Sequence, residues 1–210
     1  MDSLAALILA GGTSRRLAGV DKCAVRVGDL PIIDRVIAAV MPWVDHSPDR
    51  VVVVGPDRPT RERTSRARED PPGSGPLAGI AAGLAAADRI AGAGDPRVNP
   101  ESASSRILLL AGDIPFPGPG LEVLLGGGAA ADAEAVLGCD DRGRDQFLFA
   151  IWRTDSLRTA LARRQGSDPL RLLYDGPLIE RRELPAVSTI DCDTAEDLAR
   201  ARTLADTGWS

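Results

Sequence analysis

Short apolar runs, each broken by glycine or proline, alternate with stretches of helical spacing through the first 115 residues and leave this chain few ways to fold. Leu4–Ala10 breaks into Gly11-Gly12, Val51–Val54 into Gly55-Pro56, and Arg106–Ala111 into Gly112-Asp113. A continuous apolar run of this length suits a strand covered on both faces, as in a parallel sheet. Between the runs, Pro31–Met41 carries Ile32, Ile33, Val36, Ile37 and Val40 at helical spacing, and Leu77–Ile90 is rich in helix formers behind a Gly-Pro start. The alternation predicts an α/β fold of three layers, with a mostly parallel central sheet and helices on both faces. In such sheets ligands sit at the carboxyl ends of strands, so the Gly11-Gly12 turn and Asp113 are expected to face one crevice.

Further along, Glu134–Gly138 and Phe147–Trp152 read as strands, Asp155–Arg164 as a helix, and Thr189-Ile190 as a last short strand. Thr194–Ala205 reads as a final helix, with Thr194 at its N-cap and Asp197 three residues on. Arg58–Glu69 is a charged loop with a short edge strand, Ala91–Ser105 a polar surface loop, and Gly126–Gly128 a turn. At 210 residues and 44% hydrophobic the chain can bury one substantial core, so residues 1–210 are expected to form one domain.

Composition removes several functions. A net charge of −5 argues against a general nucleic-acid or anionic-membrane binder, and 3% aromatics is too few for a base-stacking platform. No apolar stretch approaches the roughly 20 residues that cross a bilayer. The apolar N-terminal run lacks a basic leader, and Cys23, Cys139 and Cys192 suggest neither a disulfide framework nor a zinc site, so a cytoplasmic protein is expected.

Chemistry concentrates at a few positions. Lys22 is the only lysine among 25 basic residues. A compact ammonium kept where arginine is otherwise used suits point contact with a phosphate oxygen. Upstream, Gly11 and Gly12 let the backbone approach a phosphate closely, and Arg16 adds a second cation; the plainer reading is a surface turn with incidental arginines. Asp113 follows a buried strand, where a carboxylate is costly unless ionised, partnered and near solvent; it could hold a metal or simply form a turn. Asp191 and Asp193 would point to one side of an extended segment, suited to a shared Mg²⁺, unless Asp193 only caps the last helix. The rigid loop from Asp70 through Gly75 and Pro76 can offer backbone groups to a purine or ribose. Against other chemistries, His46 lies far from Cys23, and no G-x-S-x-G elbow, G-x-x-x-x-G-K-[ST] loop or G-x-G-x-x-G turn is present.

LILAGGTSRRLAGVDK (7–22), REDPPGSGPLAGIAAGL (68–84), LLLAGDIPF (108–116) and IDCDTAEDLARA (190–201), in this order, resemble the nucleotidyltransferase superfamily with a Rossmann-like fold, and within it the molybdenum cofactor guanylyltransferases. The resemblance implies a nucleotide-binding half over 1–115 and an acceptor-binding half over 116–210. It implies GTP bound by Leu9, Ala10, Gly11 and Gly12, with Arg16 and Lys22 on the phosphates, and with Asp70, Gly75, Pro76 and Leu77 around the nucleoside. Asp113 would hold Mg²⁺, with Asp193 as a second ligand, and Arg16, Lys22 and Asp113 would carry catalysis. GMP would pass from GTP to a molybdopterin-type phosphorylated acceptor, met by Arg144, Arg153 or Arg171, with release of pyrophosphate. Transient contact with molybdopterin-synthesis proteins or molybdoenzymes would follow. The sequence departs from the family pattern at Asp191 and Asp193, which replace two asparagines, at Ala195, which replaces a proline, and at Gly55, which replaces an asparagine. Aspartates there resemble the cytidylyltransferases, so CTP or another acceptor is the rival reading; a nucleotide-binding protein without catalysis is the second.

Overall fold

The structure, a computed structural model, describes residues 3–11, 21–93, 105–128 and 130–208. Seven strands form one sheet in the order β5-β4-β1-β6-β8-β7-β9. In chain order these are β1 (Leu4–Leu9), β4 (Val51–Val54), β5 (Ser65–Ala67), β6 (Arg106–Ala111), β7 (Ala135–Cys139), β8 (Asp145–Arg153) and β9 (Ile179–Glu183). A two-residue ribbon, β2 (Arg26–Val27) with β3 (Leu30–Pro31), stands apart. The helices are α1 (Ile32–Val40), α2 (Pro76–Ala93), α3 (Gly118–Gly126), α4 (Thr154–Ala162) and α5 (Ala195–Asp206).

Strands β4, β1 and β6 run parallel, and β5 joins them on the β4 side in the same sense. Only β8 runs against its neighbours β6 and β7, while β9 is parallel to β7. The sheet is therefore mostly parallel, as expected.

Alternation along each strand sorts the core into two faces. Ala6, Ile8, Val53, Leu108 and Leu110 pack on one side against Ile33, Val36 and Ile37 of α1, Leu121 and Leu124 of α3, and Ala201 of α5. Leu7, Val52, Val54, Leu109 and Trp152 pack on the other against Leu77, Ile80 and Leu84 of α2 and Leu157 of α4. Helix α2 comes unusually close to the sheet because Gly83 presents no side chain: a Cβ there would lie 2.8 Å from Val54 Cγ2. That fit explains why a helix tolerates glycines that cost it about 1 kcal/mol each against alanine.

The ends of the chain's elements show what the sequence hides. Thr194 caps α5 in a reciprocal box with Asp197, as expected; such caps contribute about 1 kcal/mol. Thr189-Ile190 is not a strand: Ala186–Thr189 forms a short 3-10 turn behind Pro185, and the last strand is Ile179–Glu183 instead. Two β-branched residues suggested a strand there, but the paired backbone lies in IERRE, whose charged side chains suit a half-exposed edge. Helix α3, in GPGLEVLLG, was not expected either: Pro115 and Pro117 precede it, and Gly118, Pro119 and Gly120 make up its start.

Candidate active site

Parallel pairing of β1 with β6 puts Leu9 opposite Ala111, so both chains leave the sheet at one edge and at one height. Gly112 N then donates to the Leu9 carbonyl at 2.8 Å, binding the two exits together. A Cβ on Gly112 would press on Ala10 Cβ at 3.0 Å and on Cys23 Sγ at 3.2 Å, so a side chain here would fit only tightly. Above it opens a cavity of about 420 Å³, with Leu9, Gly11, Lys22, Gly75, Pro76 and Asp113 among its lining.

Lys22 sits at the start of a short 3-10 turn, Lys22–Ala24, whose cap Asp21 accepts from Cys23 N. Its ammonium lies 3.7 Å from Asp113 Oδ2 and is bonded directly to Asp193 Oδ1. The three groups come from chain segments far apart: the turn after β1, the loop after β6, and the entry to α5. Arg35 of α1 steadies the loop after β6, donating from Nε to the Pro115 carbonyl at 3.1 Å and lying over the Phe116 ring.

The charges respond to this crowding. Burial works against the ammonium of Lys22, yet Asp193, Asp113 and Asp191 together hold its pKa above the ordinary lysine value. Burial pushes the Asp113 carboxyl above its usual range, opposed by Lys22 and reinforced by Asp193. Asp191 is raised by burial and by the neighbouring acids Asp193 and Asp113. Among the described residues three acids thus crowd around Lys22, and a divalent ion would relieve the repulsion between their carboxylates.

The donor set can be tested against Mg²⁺. Asp113 and Asp193 already converge on a common cation through oxygen alone, the chemistry Mg²⁺ prefers. Among the described residues no group of three His, Cys, Asp or Glu side chains is arranged to hold a metal by itself. Mg²⁺ commonly takes one or two carboxylates and completes its shell with substrate phosphates, so the two acids fit.

The other expected residues divide. Gly75 and Pro76 line the cavity, and the first turn of α2 brings Gly79 to it, so the positive end of an 18-residue helix faces the space. Leu77 is turned into the core instead, and Ala10, 2% exposed, is not among the cavity residues, its N donating to the Val54 carbonyl and its own carbonyl accepting from Arg58. Asp70 is exposed and is not among the cavity residues; Glu69 is, its Oε1 accepting from Gly73 N at 2.9 Å. Gly12 and Arg16 lie outside the described residues.

Beside the main cavity is a smaller one of about 110 Å³, sharing Asp113 and Leu148 with it and adding Gln146, Thr189 and Asp191. Sequence reading missed Gln146 and Leu148, because nothing in a strand's composition tells which end of it meets a crevice, and in the loop after β5 it chose Asp70 over its neighbour Glu69. Of the arginines considered for an acceptor, Arg153 pairs with Arg106 at the start of β6, the sheet edge away from the cavity. Arg144 stands on the near edge, at the β7–β8 hairpin, its guanidinium held 2.6 Å from Asp140. Arg171 lies exposed in the 3-10 turn Leu170–Tyr174.

Cysteine chemistry is disfavoured: Cys23 is 6% exposed, and burial pushes its thiol up to about 12, where little thiolate exists at neutral pH. None of the described helices is long and apolar enough to cross a membrane.

The chain is similar to several known proteins. Over 216 residues it is 29% identical to a probable molybdenum cofactor guanylyltransferase of Natronomonas pharaonis, covering 93% of this chain and 95% of that one. It is 28% identical over 157 residues to the molybdenum cofactor guanylyltransferase of Mesorhizobium japonicum, covering 72% of this chain and 68% of that one. Its fold matches that of molybdopterin-guanine dinucleotide biosynthesis protein A from Archaeoglobus fulgidus, with TM-score 0.67, 20% identity, and coverage of 96% and 98%. It also matches 2-C-methyl-D-erythritol 4-phosphate cytidylyltransferase from Thermus thermophilus, with TM-score 0.64, 19% identity, and coverage of 97% and 99%. The profile of the MobA-like NTP transferase domain matches residues 6–183, and the chain belongs to that family.

Proposed function

We propose that this protein transfers GMP from GTP to a molybdopterin-type phosphorylated acceptor, with Mg²⁺ held by Asp113 and Asp193, in the cytoplasm. One observation carries the reading: the only lysine of the chain faces Asp113 at 3.7 Å beside a cavity opening where β1 and β6 leave the sheet. Similarity to two guanylyltransferases over much or most of the chain supports the choice of base and acceptor.

An acceptor phosphate oxygen forms a bond to the α-phosphorus of GTP while the bond from that phosphorus to the bridging oxygen breaks, and pyrophosphate leaves. Two anions must meet, so the protein's task is neutralisation and alignment. Mg²⁺, when bound, supplies charge neutralisation between the phosphates. Lys22 gives up its contact with Asp193 and takes phosphate oxygens in its place, while Asp113 and Asp191 continue to favour its charged form. Gly11 brings bare backbone to the phosphates, and the first turn of α2 adds its N-terminal field. Gly75 and Pro76 form the wall against which a base would lie. The smaller cavity at Gln146 and Asp191, which shares Asp113, is where an acceptor would approach.

The aspartates at 191 and 193 favour a test of CTP beside GTP. Pyrophosphate release with molybdopterin and each nucleotide separates the readings: release with GTP alone supports guanylyl transfer, release with CTP alone refutes it, and release with neither refutes catalysis of this type.

A further inference from the structure

Past β4 the chain passes directly beneath Ala10 and Gly11. Gly55 takes φ 143°, and a Cβ there would come within 2.8 Å of the Ala10 carbonyl carbon and oxygen, so only glycine lets the two backbones approach so closely. This approach delivers Arg58, 7% exposed, to the same place. Its Nη2 donates to the Ala10 carbonyl at 2.7 Å, and its Nε donates to Asp21 Oδ2 at 3.0 Å. The other oxygen of Asp21 accepts from Cys23 N at 3.1 Å and so fixes the 3-10 turn that begins with Lys22. One guanidinium therefore grips the residue before Gly11 and the residue before Lys22.

A buried guanidinium is an expensive way to gain stability. An apolar side chain of similar volume often does as well, and here Nη1 has no hydrogen-bond partner among the described residues. What the planar fork adds is geometry, since its nitrogens hold two acceptors at a set separation, which a single ammonium does not.

We propose that Arg58 is a positioning residue: by bridging the Ala10 carbonyl and the Asp21 carboxylate it sets the placement of Lys22 relative to Gly11 for a triphosphate. The inference rests on the reading that Gly11 and Lys22 receive the phosphates of a nucleoside triphosphate.

The test is equilibrium binding of two probes, GTP and inorganic tripolyphosphate, each with Mg²⁺, to the unaltered protein, Arg58→Ala, Asp21→Asn and the double variant. Each single substitution should weaken both probes about tenfold or more, the scale of one hydrogen bond to a charged group. The double variant should be no worse than the worse single one, because the pair acts as a unit. Methylguanidinium should restore binding to Arg58→Ala but not to the double variant, which lacks the carboxylate that would hold it. A purely structural role would lower the melting temperature without this selective rescue. A folded Arg58→Ala that binds both probes within threefold of the unaltered protein overturns the inference, as does loss that methylguanidinium does not restore. Should Arg58→Ala not fold, Asp21→Asn and Arg58→Lys carry the same comparison, with unimpaired binding by both as the refuting result. Failure of the unaltered protein to bind either probe would instead refute the nucleotide reading beneath it.

Discussion

The two sides of the sheet reach the crevice in different ways. On the side of β5, β4, β1 and β6 every strand points toward it, so chemistry follows the last apolar residue: Gly11 after β1, Asp113 after β6. On the other side β8 is reversed, so the crevice meets its beginning, at Gln146 and Leu148, and its end carries Arg153 away. There the remaining groups come from the β7–β8 hairpin and from the strandless stretch Asp191–Asp193 before α5. A single reversed strand thus changes which residues of a segment can be functional. Under the proposed reaction the parallel side should hold the phosphates of the nucleotide, and the mixed side the acceptor.

The largest expected effect tests the parallel side. Asp113→Ala should abolish Mg²⁺-dependent transfer while circular dichroism shows an unchanged fold; full turnover in that variant would break the assignment. Lys22→Ala should slow turnover on the order of 10²–10³-fold, the scale of one preorganised electrostatic partner, and a loss below about threefold would make the solitary lysine incidental.

A smaller effect tests the mixed side. Arg144→Ala should raise the KM for the acceptor about fivefold, as one solvent-screened charge contact allows, and leave the KM for GTP unchanged. Arg153→Ala should alter neither, and steady-state kinetics with the opposite ranking would reverse the roles of the two ends of β8.

The smallest effect is thermodynamic. Burial and Asp193 hold the Asp113 carboxyl above its ordinary 3.8 despite Lys22. The folded protein therefore binds that proton more tightly than the unfolded chain does. The resulting stabilisation is complete below pH 3.8 and is lost as pH rises through the raised value, which leaves the carboxylate a net cost at neutral pH. Asp113→Asn should accordingly melt a few degrees higher than the unaltered protein at neutral pH in chelator, with the advantage fading under acid; equal melting at all pH values would contradict it.

How much of this was legible in the sequence follows from where the information lies. Leu4–Leu9, Val51–Val54 and, past Arg106, Ile107–Ala111 are apolar throughout because both faces are covered, and that pattern survives without a structure. Ile179–Glu183 was invisible: an edge strand with arginines and glutamates is chosen by its neighbour's backbone, not by its own side chains. Within the site, the pairing of Lys22 with Asp113 was foreseeable from strand ends in parallel register. The contact of Lys22 with Asp193 spans 171 residues and depends on how α5 returns to the sheet, so no local pattern announces it. Glu69 in place of Asp70 turns on a single hydrogen bond to Gly73 within a proline-rich loop.

The loop that walls the cavity has a support of its own. Gly75, with φ 102°, would carry a Cβ within 2.7 Å of the Gly166 carbonyl oxygen, and Gly166 in turn would press on Ala78 of α2 at 2.9 Å. Side chains are thus excluded at the seam where this cavity wall meets the turn beyond α4. The two surfaces are braced backbone to backbone, so opening for product release would have to occur elsewhere on the rim, and this seam would act as its fixed shoulder.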